Sequence, residues 1–291
     1  MLFLLNIDTM CNYDLLRSTT NIIIILEHLI LKTPFELMVA PNGARLTKLD
    51  HPKLPISTDE ISETALKCAQ VGANAIHLHI RDSNNHHSLD TNIYKKTVEA
   101  IRSKTSIHLQ ISSEAAGIFN VDEQKKCLEN SPVNDVSVAL REIERSPELI
   151  KVIYNTAKKD GIDIQHILYD DQDLKRLLKY FDEGIIPKNS RRVIFVLGKY
   201  NLNQISFPKD INPFLTMLGA QKLNWSVCAF GLNEHKCLLE ALNLGGNVRV
   251  GFENNTKSED GAFFANNESS VEKFIKAADR IGFQPKRSGY E

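Results

Sequence analysis

From residue 35 onward, short runs rich in β-branched and aliphatic residues alternate with longer stretches whose apolar residues recur every three to four positions. A chain written this way builds a parallel sheet, because parallel neighbours need a crossover and helices supply it. The strand-like runs fall at 35–40 (Phe-Glu-Leu-Met-Val-Ala), 74–80, 106–112, 134–140, 162–169, 192–198, 224–230 and 247–253. Helical periodicity occupies 58–71, 91–103, 123–129, 147–160, 171–183, 210–220, 234–244 and 269–281. The first helix opens on the acidic Thr58-Asp59-Glu60 and stops at Gly72, while Gly161, Gly184, Gly245 and Gly282 stand at later exits. Eight βα units in roughly 255 residues predict a (β/α)8 TIM barrel. A doubly wound open sheet is the alternative, and the lack of GxGxxG after the first strand counts against it. No tandem repeat or linker divides the chain, so residues 35–291 read as one TIM-barrel catalytic domain. Residues 1–34 read as an N-terminal extension: an appended helix or arm, or sequence upstream of the true start.

Composition removes several functions. A hydrophobic fraction of 42% supplies a large core, and a net charge of −1 exerts no general pull on nucleic acid or anionic membrane. The apolar run Asn21–Leu31 is too short to span a bilayer and is interrupted by Glu27 and His28. A basic n-region and a small-residue cleavage site are both missing from the start of the chain. The five cysteines (Cys11, Cys68, Cys127, Cys228 and Cys237) are odd in number and show no CxxC spacing, so a reduced, cytoplasmic setting is expected.

Within the second strand-like run lies His77-Leu78-His79-Ile80-Arg81-Asp82. Alternation on a strand puts both imidazoles on one side and Ile76, Leu78 and Ile80 on the other. Two histidines on one strand face suit a divalent metal, although a polar barrel layer would read the same way. The eighth run, Asn247–Asn254, places Arg249, Gly251 and Glu253 on one face. Charged groups on an inner barrel face are costly unless they serve a polar site. Closure of the barrel sets strand 8 beside strand 1, and strand 1 beside strand 2. Glu253 then lies close enough to His77 and His79 for one ion to bridge the three. Two His and one Glu with an open position is the composition of a catalytic zinc site.

Two loops join this expected active face. Strand 1 leads into Pro41-Asn42-Gly43-Ala44-Arg45, a tight turn that lets backbone approach a ligand and carries a cation. Strand 3 leads into Ser112-Ser113-Glu114-Ala115-Ala116-Gly117, small residues suited to donating hydrogen bonds to an acyl oxygen.

Several stretches together resemble the β-keto acid cleavage enzymes. They are Ala40-Pro-Asn-Gly-Ala-Arg45, Leu54–Ile61, Gly72-Ala73 with Ile76–Asp82, Gly245–Asn254 and Asp260-Gly261. They span residues 35–285 in family order, and residues 1–34 lie outside them. The resemblance implies a zinc-dependent TIM barrel that condenses a β-keto acid with acetyl-CoA and releases acetoacetate and a new CoA thioester. It implies His77, His79 and Glu253 as zinc ligands, Arg249 as the catalytic arginine, and Ser113 as a lesser contact to the acyl group. It also implies a homo-oligomer, a tetramer.

Three departures from the family pattern stand out. The family has Asp after the ligand Glu, paired with the arginine; here it is Asn254, and an amide is not an effective general base. The first-loop position that is Glu in the amino-substrate enzyme is Arg45, which favours an anionic or neutral β-keto acid. Strand 5 reads Ile164-Gln165-His166-Ile167-Leu168-Tyr169-Asp170, where an acidic residue is expected before Tyr-Asp; Gln165 or His166 could replace its function. Two other readings remain: a different metal-dependent TIM-barrel hydrolase, and a degraded barrel that binds an acyl-CoA or metabolite. The hydrolase class carries its HxH on the first strand, against the second here.

Overall fold

The computed structural model describes residues 32–199, 203 and 205–286. Most of the expected N-terminal extension therefore lies outside the described residues. Eight parallel strands close a barrel: β2 (Leu37–Val39), β3 (Ala75–Leu78), β6 (His108–Ser112), β7 (Asp135–Ala139), β8 (Asp163–Leu168), β9 (Arg192–Leu197), β10 (Asn224–Ala229) and β11 (Asn247–Val250). They pair in chain order, and β11 returns to β2 through Arg249 opposite Met38. The chain is a TIM barrel, as its periodicity requires.

Around the barrel run α1 (Thr58–Gln70), α2 (Thr91–Arg102), α3 (Val121–Glu129), α4 (Leu140–Ile143), α5 (Pro147–Lys159), α6 (Asp171–Asp182), α7 (Asn212–Leu218), α8 (Glu234–Asn243) and α9 (Asn267–Arg280). Their caps explain their starts. Ser57 and Glu60 form a reciprocal capping box at α1, Asn120 and Glu123 another at α3, and Asp170 accepts from Asp173 N at α6. Outward strand residues such as Ile76, Leu109, Val136, Phe195 and Val250 join helix residues such as Ile61, Val98, Leu174, Leu238 and Phe274 in one apolar layer. That layer is where burial stabilises the fold.

The structure revises several boundaries. The expected strand at 35–40 breaks at Glu36. Its front, β1 (Thr33–Phe35), leaves the barrel and pairs in parallel with β12 (Phe283–Pro285), tying the segment before the first barrel strand to the one after the last helix. The second run also divides: His79 interrupts it, and β4 (Ile80–Arg81) turns into an antiparallel pair with β5 (His87–Ser88). The expected helix at 210–220 is a 3-10 turn (Pro208–Ile211) followed by α7, a short helix ending at Gly219.

The largest revision concerns the eighth run. Extended structure ends at Val250, and Glu253 sits in a turn rather than on the strand. Gly251 has φ +141°, and a Cβ there would lie 2.4 Å from the Ala40 carbonyl oxygen. The turn is then fixed by Glu253 N donating to Ala40 O at 3.1 Å and Asn254 N donating to Gly251 O at 2.9 Å. Strand alternation is therefore not what aims Glu253. The approach of a glycine to the end of β2 is.

Candidate metal and active site

The barrel interior below the mouth is polar, and its hydrogen bonds run in one direction. Gln165 Nε2 donates to Ser226 Oγ at 3.1 Å, leaving Gln165 Oε1 to accept from Gln110 Nε2 at 3.0 Å. Gln110 Nε2 also donates to Asp135 Oδ1 at 2.9 Å. With both acceptors on its nitrogen side, the Gln110 amide must present Oε1 to His77 Nδ1, 2.7 Å away. His77 Nδ1 is thereby the donor, and its Nε2 lone pair faces the mouth. Asp135 is held below by His108 Nε2 and Arg192 Nη1, each at 2.8 Å.

At the mouth three side chains converge. His77 Nε2 lies 3.1 Å from His79 Nε2, and Glu253 Oε2 lies 3.8 Å from the first and 3.6 Å from the second. All three donor atoms fall within 4.8 Å of one another. Burial, with Arg249 adding to it, brings His77 down to about 4, and burial and His77 hold His79 well below the usual histidine range. Both rings are therefore neutral at pH 7. Burial would raise the Glu253 carboxyl, but the Arg249 guanidinium overcomes it and keeps the group ionised. Glu253 Oε2 is buried and accepts no hydrogen bond. Two neutral imidazole nitrogens and an unpartnered carboxylate oxygen aimed at one point fit a divalent cation, and a donor set of two histidines and one glutamate suits zinc.

Arg249 stands beside this cradle. Its Nη2 donates to Glu253 Oε1 at 3.0 Å and to Cys228 Sγ at 3.3 Å, while its buried Nε and Nη1 have no partner. Asn254 is also buried, and neither atom of its amide is hydrogen-bonded. A buried guanidinium and a buried amide with unused polar atoms at the mouth are poised to receive a polar ligand.

The other expected residues take varied positions. Asn42 Nδ2 donates to Pro55 O at 3.0 Å and His79 O at 3.1 Å, so it secures the loop to the backbone of His79. Gly43 packs on the Glu253 side chain, and its carbonyl accepts from Arg81. Arg45 reaches Glu114 Oε1 at 3.1 Å. Ser113 Oγ donates to Ser137 O at 2.8 Å, so its proton is engaged in joining the exit of β6 to the middle of β7. Gln165 lies inside the barrel, whereas His166 faces outward, stacked on Tyr154 with Nδ1 against Arg192 O. His166 therefore does not replace an acidic residue at the mouth.

Three residues at the site escaped the sequence reading: Gln110, Glu114 and Lys199. Gln110 was detectable, since it sits in register with His77 on the neighbouring strand. Glu114 is the one charged residue in the Ser112–Gly117 loop. Its Oε2 lies 3.8 Å from His79 Nε2. Lys199 follows β9 with no motif to mark it, and its Nζ is 3.1 Å from Glu114 Oε1.

Known proteins place the chain. It is 24% identical over 253 residues to the 3-keto-5-aminohexanoate cleavage enzyme of Fusobacterium nucleatum, covering 82% of this chain and 89% of that one. It is 22% identical over 262 residues to the 3-oxoadipate:acetyl-CoA acetyltransferase of Cupriavidus necator, covering 86% and 90%. Among solved structures, the ternary complex of ObcA with a C4-CoA adduct and oxalate superposes with a TM-score of 0.64 at 13% identity. That match spans 81% of this chain and 66%, just under two thirds, of ObcA, and it speaks to the barrel fold alone. A sequence model of the beta-keto acid cleavage enzymes matches residues 34–288. The chain belongs to the β-keto acid cleavage enzyme family.

Proposed function

We propose that this protein is a zinc-dependent acyltransferase that converts a β-keto acid and acetyl-CoA into acetoacetate and the CoA thioester of the remaining acyl chain. The observation that carries this reading is the convergence of His77, His79 and Glu253 beside Arg249 at the mouth of a barrel of this family. The reaction balances without a further reagent. A proton leaves C2 of the keto acid, and that carbon bonds to the acetyl carbonyl as CoA thiolate departs. The thiolate then adds to the original keto carbon, the C2–C3 bond breaks, and the acetoacetate enolate takes up a proton.

His77, His79 and Glu253 would hold a divalent ion, which when bound would supply Lewis-acid polarisation of a keto oxygen. Arg249 binds the substrate carboxylate and offsets developing negative charge through the N–H groups that have no protein partner. Ser113 Oγ and N both donate to Ser137 O, so Ser113 supports the loop after the third barrel strand rather than donating to the acyl group. Asn42, Gly43 and Arg45 line the first loop, and Arg45 favours an anionic or neutral tail over a cationic one. The protein works in the cytoplasm as a homo-oligomer, a tetramer. The free thiols of Cys68, Cys127, Cys228 and Cys237 support a reduced compartment; among the described residues no helix is long and apolar enough to cross a membrane.

The test is acetoacetate formation by purified, zinc-loaded protein given acetyl-CoA and a panel of β-keto acids. Absence of turnover with every acid despite bound zinc would favour the second reading, a barrel that binds an acyl-CoA or metabolite without converting it. Asn254 is what supports that second reading, because it stands where the family has Asp. The same residue gives a directed prediction. Asn254→Asp restores a carboxylate able to accept a proton, so kcat is expected to hold or rise. A fall of ~10-fold or more would show that the proton leaves by another route.

A further inference from the structure

Above the metal cradle lies a second cluster of charge. Arg45 Nη1 and Lys199 Nζ both donate to the same oxygen, Glu114 Oε1, each at 3.1 Å. Lys199 Nζ also lies 3.3 Å from the Tyr169 hydroxyl and 5.0 Å from the centroid of its ring. The Lys199 side chain is 12% exposed and that of Glu114 6%, whereas Arg45 is 58% exposed and reaches in from the rim. The other oxygen, Glu114 Oε2, is 3.8 Å from His79 Nε2, so this cluster adjoins the proposed reaction centre.

The charges do not balance. Arg45, Arg81, Lys199 and Arg249 bring positive charge to the mouth, and Glu253 already answers Arg249. Glu142, behind the loop, is occupied by Ala115 N and Gln124 Nε2, and burial pushes its carboxyl up rather than down. Among the described residues Glu114 is thus the one carboxylate bonded to both Lys199 and Arg45, and a divalent ion below would add to the surplus. Excess charge in a desolvated mouth is costly unless an anion completes it. A pair serving stability alone would need one cation, and the exposed Arg45 contributes little to stability. Two cations fixed on one oxygen are instead preorganised for a further carboxylate.

We propose that Lys199, with Arg45, forms a second carboxylate position, so that the substrate is a β-keto dicarboxylic acid. This rests on the reaction proposed above: Arg249 takes the carboxylate next to the keto group, and Lys199 and Arg45 take the distal one. Family membership does not decide this, since relatives are named for an amino-bearing acid and for a dicarboxylate alike. Lys199 is the specificity-determining residue, and Glu114 is the positioning residue that holds it.

The test uses a matched pair, 3-oxoadipate and 3-oxohexanoate, which share chain length and differ only in a terminal carboxylate against a methyl. Binding to the full-length, zinc-loaded protein is measured calorimetrically without acetyl-CoA, which separates this inference from the reaction. The dicarboxylate is expected to bind about 10- to 100-fold more tightly, the worth of one charge-assisted hydrogen bond. Lys199→Met is expected to bring that ratio close to one, and Lys199→Arg to retain most of it. Equal binding of the two acids by the wild-type protein, or an unchanged ratio in Lys199→Met, would overturn the proposal. If the binding preference is present but no acetoacetate forms, the reaction fails and the dicarboxylate site stands.

Discussion

His79→Ala is expected to abolish both stoichiometric metal binding and acetoacetate formation while leaving the barrel folded. His79 Nε2 lies between His77 Nε2 at 3.1 Å and Glu253 Oε2 at 3.6 Å, so its loss opens one side of the cradle. Loss of an outer-shell partner alone costs ~10–100-fold in metal affinity, and loss of a direct ligand costs more. The fold should tolerate the change. His79 interrupts the strand rather than pairing within the barrel ladder, and Asn42 holds the loop through the His79 backbone carbonyl, which alanine keeps. The measurement is zinc per chain by elemental analysis, with circular dichroism as the fold control. A variant that keeps one zinc per chain would exclude His79 as a ligand. His77→Ala should lose metal as well but destabilise more, because it strands the buried Gln110 Oε1.

The architecture was legible because a period of two and a period of 3.6 alternate along the chain, and each barrel strand lies inside a run that sequence marked. The HxH was legible for the same reason: residues two apart share a side, and His77 and His79 do meet. The approach to Glu253 was right in outcome and wrong in cause. Alternation would carry Arg249, Gly251 and Glu253 along one strand face, yet the strand stops at Val250 and a left-handed glycine turns the chain. Periodicity cannot report such a stop, because Gly-Phe-Glu continues the pattern. Lys199 was invisible for another reason. A loop lysine has no periodic signal, and only the fold brings it 3.1 Å from a carboxylate 85 positions earlier in the chain. Glu114 was hidden by its neighbours, whose small size drew attention to backbone donors instead.

Gly43→Ala is expected to weaken metal binding about 10- to 100-fold, comparable to losing an outer-shell partner, with only a modest loss of stability. Gly43 has φ +61°, and a Cβ built there lies 2.6 Å from Glu253 Cγ and 3.1 Å from its Cβ. These atoms are the root of the Glu253 side chain, not its free end, so the clash is relieved only by swinging the whole carboxylate away. Its Oε1 is then drawn from Arg249 and its Oε2 from the two histidines. The backbone cost of alanine in a left-handed conformation is separate, about 1–2 kcal/mol. Gly184→Ala isolates it, since Gly184 has φ +68° and meets nothing within 4 Å. Both variants should therefore lose a similar increment of Tm, while only Gly43→Ala loses zinc in a chelator competition. Equal zinc affinity in the two would mean that Glu253 has another way to reach the metal, or is not a ligand. A collapse of Tm in Gly43→Ala alone would mean that the carboxylate cannot move. The first loop would then act on the metal by contact as well as on the substrate by charge, since Gly43 braces Glu253 two residues before Arg45 reaches the mouth.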